Sequence, residues 1–118
     1  MFGLPADFNT DLLVGRTLEL ICFSQNTINL HFDEKLTIVV RSSLKYLERT
    51  AKTASTIEVP AFQSNLMQLL EHCTTKVYGD NEGTLTLEFE DGQILQCLDD
   101  STSYESYEII QGGNRIIV

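Results

Sequence analysis

Two short segments of strict polar and apolar alternation, 57 residues apart, constrain the fold of this chain more than any other feature. In Thr27 to Phe32 every second residue is apolar, and Thr84 to Phe89 repeats the pattern. Alternation with a period of two is typical of a strand with one face on a core and the other in solvent. Because each apolar face must be covered, the chain is expected to pair these strands within antiparallel sheets.

The same offset extends beyond these strands and predicts an internal repeat. It carries Leu13 onto Leu70 and Leu20 onto Val77. A slip of one residue at the next turn aligns Leu36 with Ile94, and further drift aligns residues 44–48 with 104–108. The sequence therefore predicts a single domain, residues 1–118, made of two repeated halves at 7–59 and 60–118.

One segment predicts a helix instead of a strand. Pro60 suits the first turn of a helix, and the apolar residues that follow it recur at helical spacing. These residues are Phe62, Leu66, Leu69, Leu70 and Cys73. The predicted fold class is therefore α+β: antiparallel β-meanders in two repeated halves form a curved sheet or partly open barrel, with one main helix at about 61–73. Residues 42–59 suit two short strands around a loop better than a helix, although basic residues recur there at helical spacing.

The composition favours a soluble, intracellular protein. A chain of 118 residues with 42% hydrophobic content can bury a core without a disulfide or a metal. It has no apolar run near the length of about 20 residues that a membrane-spanning helix needs, and it does not begin like a secretory signal. The three widely spaced cysteines, Cys22, Cys73 and Cys97, are expected to be reduced and mostly buried. We therefore expect a cytoplasmic location and no membrane partner.

The charge is unevenly distributed along the chain. Of the net charge of −9, residues 1–59 carry −1 and residues 60–118 carry −8. Such a surface repels phosphate, so a nucleic-acid partner is not expected. An acidic half suits a basic protein partner, although surplus acid also serves solubility alone.

A catalytic set is missing from the sequence. His31 and His72 are isolated, and no metal-binding, nucleophile or phosphate-binding motif occurs. Residues 80–82 are oxygen-rich but lack the pattern of a calcium loop. The sequence therefore predicts no catalytic residue, no cofactor and no metal, and the protein is expected not to be an enzyme.

A tyrosine-rich acidic segment is the strongest candidate for a partner-binding face. Tyrosine supplies buried area at interfaces, and the acids would steer a basic partner. The predicted partner-binding residues are Asp99, Asp100, Tyr104, Glu105, Tyr107 and Glu108. The alternative for this segment is an ordinary loop leading into a strand, with both tyrosines half-buried.

The strand pattern also suggests two other binding partners, a small apolar ligand and a second copy of the chain. A small-ligand carrier, with an apolar pocket between the sheets, is the alternative function. The apolar terminal strand, residues 115–118, is expected at a sheet edge, where it could pair with a second copy to form a homodimer.

The segments from Leu13 to Leu18 and from Leu30 to Asp33 resemble the opening of an uncharacterised bacterial family of short acidic proteins. The segments 83–92 and 104–109 resemble that family's second half. Some relatives look like the immunity proteins of bacterial toxin systems, so the resemblance implies a module that binds and blocks a toxin. Lys35 departs from the family pattern, which more usually has glycine there.

Overall fold

The computed structural model describes residues 3–5, 8–61, 63–101 and 105–118. These residues form two antiparallel sheets of five strands each. The strands are β1 (Leu18–Phe23), β2 (Ile28–Phe32), β3 (Leu36–Val40), β4 (Ser43–Leu47), β5 (Ser55–Glu58), β6 (Thr74–Gly79), β7 (Leu85–Phe89), β8 (Ile94–Cys97), β9 (Tyr107–Gln111) and β10 (Asn114–Ile117). Two short 3₁₀ helices, Thr10–Leu13 and Leu66–Leu69, precede β1 and β6.

The two halves of the chain exchange hairpins. One sheet has the order β1-β2-β3-β9-β10, and the other has the order β5-β4-β8-β7-β6. The meander β1-β2-β3 is therefore extended by the hairpin of the second half, and the meander β6-β7-β8 by the hairpin of the first. Because each sheet needs strands from both halves, neither half can complete a sheet alone.

The strand registers define which residues of the two halves are equivalent. Ile28 pairs with Val40, and Leu85 pairs with Cys97, so the offset of 57 continues unchanged through β3 and β8. Leu36 is therefore equivalent to Gln93, and the predicted slip onto Ile94 is wrong. The offset instead changes by one residue before β2 and β7. Phe32 pairs with Leu18 and its equivalent Phe89 pairs with Thr74, so Leu18 and Thr74 are equivalent at an offset of 56.

The predicted alignment of residues 44–48 with 104–108 is also wrong. Val40 pairs with Tyr107, and its equivalent Cys97 pairs with Leu44. Residues 44–47 are therefore equivalent to 107–110, not to 104–107. That the halves arose by duplication, with the boundaries 7–59 and 60–118, stays a prediction.

A pseudo-two-fold axis passes between equivalent residues. Thr17 and its equivalent Cys73 form an antiparallel bridge with each other. The Leu18 amide donates to the His72 carbonyl at 3.0 Å, and the Thr74 amide donates to the Arg16 carbonyl at the same distance. Further symmetric bonds join Gly15 to Thr74 and Glu71 to Leu18, each at 2.8 Å.

The predicted α+β class and its main helix at 61–73 are wrong. Among the described residues of that segment only Leu66–Leu69 is helical, as one 3₁₀ turn, and the described part of the chain contains no longer helix. The physical reason lies at the pseudo-axis, because the Glu71 amide and the His72 carbonyl bond to the first half instead of within a helix. The predicted curved sheet or partly open barrel is replaced by two separate five-stranded sheets in the described part of the chain. No helix in the described part of the chain is long and apolar enough to cross a membrane.

The inward faces of both sheets share one hydrophobic core. Of the apolar residues in the predicted helix, Leu66 and Leu69 are fully buried in this core and Leu70 is only partly buried, whereas Phe62 lies outside the described residues. Leu13 of the first 3₁₀ helix occupies the position equivalent to Leu69 and is equally buried. The two strands predicted within 42–59 are β4 and β5.

Candidate functional site

Tyr107, one of the predicted partner-binding residues, belongs to the core. Its side chain is fully buried, and its hydroxyl donates a hydrogen bond to the Gly83 carbonyl at 2.7 Å. Burial, followed by the nearby Cys97 and Asp80, raises the pKa of this hydroxyl. Tyr107 therefore ties β9 to the loop between β6 and β7 and offers no surface to a partner.

Glu108 is also buried, although it lies on the outward side of β9. Its carboxylate accepts hydrogen bonds from Arg41 and Arg115, and it is only 1% exposed. The bond from Arg115 and the charge of Arg41 outweigh burial and lower the pKa of Glu108. With two arginines against one carboxylate, this position adds no negative charge to a binding face. Of the other predicted residues, Glu105 is half-buried and Tyr104 lies outside the described residues.

Asp99 and Asp100 are fixed at the end of β8 by hydrogen bonds. Asp99 accepts bonds from the Gly3 amide at 2.9 Å and from the Ser106 hydroxyl at 2.8 Å. Asp100 accepts bonds from the hydroxyls of Ser42 and Ser43. Both carboxylates are thus positioned by other parts of the chain instead of extending freely into solvent.

These two acids line a groove with acids from another loop. The β7 residue Leu85 pairs with Cys97 of β8, so the loop before β7 lies beside the segment after β8. That loop contributes Asp80, whose carboxylate accepts bonds from the amides of Glu82 and Thr84. The resulting acidic groove has a volume of about 400 Å³, and its lining residues are Lys45, Asp80, Glu82, Thr84, Gln96, Leu98, Asp99 and Asp100.

Sequence reasoning missed Asp80 and Glu82 as members of this face because they are 17 or more residues from Asp99 and Asp100. It also missed Gly83, which has a φ of +82°. A Cβ atom there would lie 2.5 Å from the Asp99 carboxylate, so glycine is needed for Asp99 to keep its place. The signal in the sequence was the oxygen-rich loop at 80–82, which lacks the pattern of a calcium loop and was therefore assigned no role.

A second polar cluster lies at the turn between β7 and β8. His72 Nδ1 is 2.6 Å from Glu90 Oε1, and His72 Nε2 is 3.4 Å from Asp91 Oδ2. Glu90 also accepts a bond from the Cys73 amide at 2.8 Å. His72, predicted as an isolated surface residue, therefore lies between two carboxylates, and these side chains place donors of metal-binding type within 4.8 Å of one another.

The acids of this cluster titrate below their ordinary range. Burial acts to raise the pKa of Glu90, but hydrogen bonds from His72 and the Cys73 amide outweigh it and lower the pKa. Burial likewise opposes the lowering of the pKa of Asp91, which hydrogen bonds from Gln93 and the charge of His72 produce. Both carboxyls are therefore held in the ionised form.

The cysteines were predicted to be reduced and mostly buried, and the structure agrees only in part. All three are free, but Cys22 is exposed, Cys73 is partly buried and Cys97 is fully buried. Burial raises the pKa of Cys97 to about 12, so this thiol stays protonated at neutral pH.

Comparison with known proteins identifies the family but no function. Neither the search of curated proteins nor the search of solved structures gave a match. The model of DUF6188, described as a family of unknown function, matches residues 10–118, and the chain therefore belongs to this family.

Proposed function

We propose that this protein is a non-enzymatic interaction module that binds a basic segment of a protein partner in the acidic groove. The observation that carries the proposal is the meeting of four carboxylates from two loops beside Lys45. The four are Asp80, Glu82, Asp99 and Asp100.

The charge of the groove favours a cationic partner. Asp80, Glu82 and Asp100 are exposed, and Lys45 is the only base among the described residues that line the groove. The whole chain carries −9, so its long-range field has the same sign as the groove. Complementary fields raise the rate of association and disfavour acidic partners.

The carboxylates are also pre-organised. Hydrogen bonds from Ser43 and Ser106 orient Asp100 and Asp99, and each ionised carboxylate has about four acceptor sites. The exposed carboxylates of Asp80, Glu82 and Asp100 can therefore accept bonds from a lysine ammonium or an arginine guanidinium. Because the acids need little reordering on binding, less of the interaction energy is lost to conformational entropy.

The family resemblance makes the proposal more specific. In its immunity-like form, the protein is bacterial and cytoplasmic, and the basic partner is a toxin that the groove binds and blocks. The predicted tyrosine anchors do not contribute through Tyr107, which is buried, so the acids carry the recognition.

The alternative of a small-ligand carrier receives less support. The apolar residues between the sheets form a continuous packed cluster. The grooves found on the described residues are lined largely by loop and outward-facing residues, not by that cluster.

We also propose homodimer formation as a second mode of association. β10 lies at a sheet edge, and its residues Arg115 and Ile117 are exposed. An edge strand has unpaired backbone groups that can pair with a second copy. Light scattering at increasing concentration tests this mode, and a constant monomer mass of 13.3 kDa would contradict it.

An NMR titration of the labelled full-length protein with a hexa-arginine peptide tests the groove. We expect shift changes at Asp80, Glu82, Asp99 and Asp100 that weaken as salt is raised, because screening shortens to about 8 Å at physiological ionic strength. In kinetic measurements, Asp99→Asn with Asp100→Asn should lower the association rate more than it raises the dissociation rate.

A matched control separates the groove from net charge. The groove variant changes all four acids to their amides. The control changes four exposed acids of the first half to amides: Asp11, Glu19, Glu34 and Glu58. Both variants carry a net charge of −5, which is −9 with four negative charges removed. Equal loss of peptide binding in both would show a diffuse charge effect and would overturn the proposal.

A further inference from the structure

The cluster at the β7–β8 turn has a supporting side chain at a position that the other half fills with an apolar residue. Gln93 is 2% exposed, and its equivalent Leu36 is fully buried. Burying an amide is unfavourable unless its hydrogen bonds are made. The fold itself therefore accepts leucine at this position, and the glutamine needs another explanation.

Gln93 holds Asp91. Its Nε2 donates to Asp91 Oδ2 at 2.7 Å, and its backbone amide donates to Asp91 Oδ1 at 3.2 Å. The Gln93 side-chain oxygen accepts from the buried Tyr46 hydroxyl, and Nε2 also donates to the Gln68 carbonyl. Asp91 is thus fixed by a chain of bonds that begins in the core.

Glu90 fixes which nitrogen of the His72 ring carries the proton. An ionised carboxylate can only accept a hydrogen bond, so the 2.6 Å contact places a proton on His72 Nδ1. In the neutral ring this leaves the lone pair on Nε2, which faces Asp91. A carboxylate bonded to the far nitrogen is the usual support of a metal-binding histidine.

The separation of the two donors matches a metal site. Nε2 and Asp91 Oδ2 are 3.4 Å apart, longer than an ordinary hydrogen bond. Ligands at zinc distances in tetrahedral geometry are about 3.4 Å from each other. We propose that His72 Nε2 and Asp91 Oδ2 bind a divalent cation of the zinc class, with Glu90 as a positioning residue and water in the remaining positions.

The first half offers a natural comparison for this site. The residues equivalent to His72, Glu90, Asp91 and Gln93 are Arg16, Asp33, Glu34 and Leu36. Arginine cannot serve as the nitrogen ligand because it stays protonated, and leucine cannot hold a carboxylate. The turn itself also differs, because Glu34 and Lys35 both have positive φ whereas Gly92 alone does so at the equivalent pair. The donor set is therefore present only once among the described residues.

Calorimetric titration of the full chain with Zn²⁺ tests the proposal. We expect one ion per chain and a rise in Tm with zinc, because a ligand that binds only the folded state stabilises it. His72→Gln and Asp91→Asn should each weaken binding at least about tenfold, and Glu90→Gln should weaken it about tenfold while leaving His72 as a ligand. In nitrogen NMR of the imidazoles, zinc should shift Nε2 of His72 and leave the proton on Nδ1.

Three controls distinguish this site from other zinc donors. Glu34→Gln removes the equivalent of Asp91, and His31→Gln removes the other histidine. The double variant Cys22→Ser with Cys73→Ser removes the accessible thiols. All three should bind zinc as the unmodified chain does. A wild-type Tm that does not respond to zinc, unchanged binding by both His72→Gln and Asp91→Asn, or loss of binding in the thiol variant would each overturn the proposal.

Discussion

The two corners where the halves meet at the pseudo-axis have the same backbone path and different side chains. Gly15 and its equivalent Glu71 both have positive φ, at 78° and 71°, and their amides make symmetric hydrogen bonds. Yet Leu36 is replaced by Gln93 one turn away, and only the second corner gathers a histidine and two acids among the described residues. Backbone pairing and burial therefore define the fold in both halves, whereas the polar site depends on a few substitutions that the fold tolerates in one of them.

The largest effect is expected when the equivalent leucines of the two 3₁₀ helices are replaced. Leu13 and Leu69 are equivalent and both essentially fully buried. Replacing either with alanine should lower the free energy of unfolding by about 2–5 kcal/mol, because a cavity is added to the lost burial. Urea denaturation measures both. A much smaller loss at Leu69 would show that the two corners differ in packing as well as in polarity.

A smaller effect is expected at the equivalent positions Lys45 of β4 and Glu108 of β9. Glu108 is buried and bonded to two arginines, whereas Lys45 is exposed. Glu108→Gln should cost about 1–2 kcal/mol at neutral pH, since charge-assisted bonds become neutral ones. Lys45→Gln should stay within about 0.5 kcal/mol of the wild type. Urea denaturation of the two variants measures the contrast, and equal losses would contradict it.

The buried carboxylate of Glu108 should also make the stability of the protein depend on pH. The bonds from Arg115 and Arg41 lower the pKa of Glu108 below its ordinary value of 4.5. A carboxyl with a lowered folded-state pKa contributes stability that is present above the unfolded-state value and is lost as pH falls through the folded-state value. Urea unfolding at neutral pH and below pH 4.5 should therefore show a smaller acid loss in Glu108→Gln than in the wild type. Equal losses would assign the acid sensitivity to other carboxyls.

The smallest effect concerns the paired positive φ angles. A Cβ atom at Gly15 would meet no other atom within 4 Å, so Gly15→Ala tests conformation without a clash. It should destabilise by about 1 kcal/mol, because the left-handed region is unfavourable for residues with a Cβ atom. Glu71→Gly should stabilise by about 0.5 kcal/mol for the same reason. Thermal unfolding of both variants measures the effect, and shifts of the same sign would contradict it.

Part of the fold could be predicted from particular residues. The alternation in Thr27 to Phe32 and in Thr84 to Phe89 located β2 and β7, since a period of two is specific to strands. The apolar spacing from Leu66 to Cys73 misled, because residues three and four apart also suit a 3₁₀ turn followed by a strand. Which structure forms there is decided by the backbone bonds from Glu71 and His72 to the first half.

The candidate sites were harder to predict from the sequence than the strands. Asp99 and Asp100 were predicted for a binding face, but Asp80 joins them only because β7 and β8 are neighbours. His72 was predicted to be isolated because Asp91 lies 19 residues further along the chain. Such contacts depend on register, which one residue of slip would change completely.

The sequence by itself determined most strands of this protein, their inward faces, the offset of 57 between β2 and β7, and the acidic charge, because these follow from local periodicity and composition. Only the tertiary structure decided that the halves exchange hairpins, that Tyr107 and Glu108 are buried, and that the acids gather into one groove. The physical reason is that local patterns set which face of a strand is apolar, whereas the pairing of distant strands sets which polar groups become neighbours.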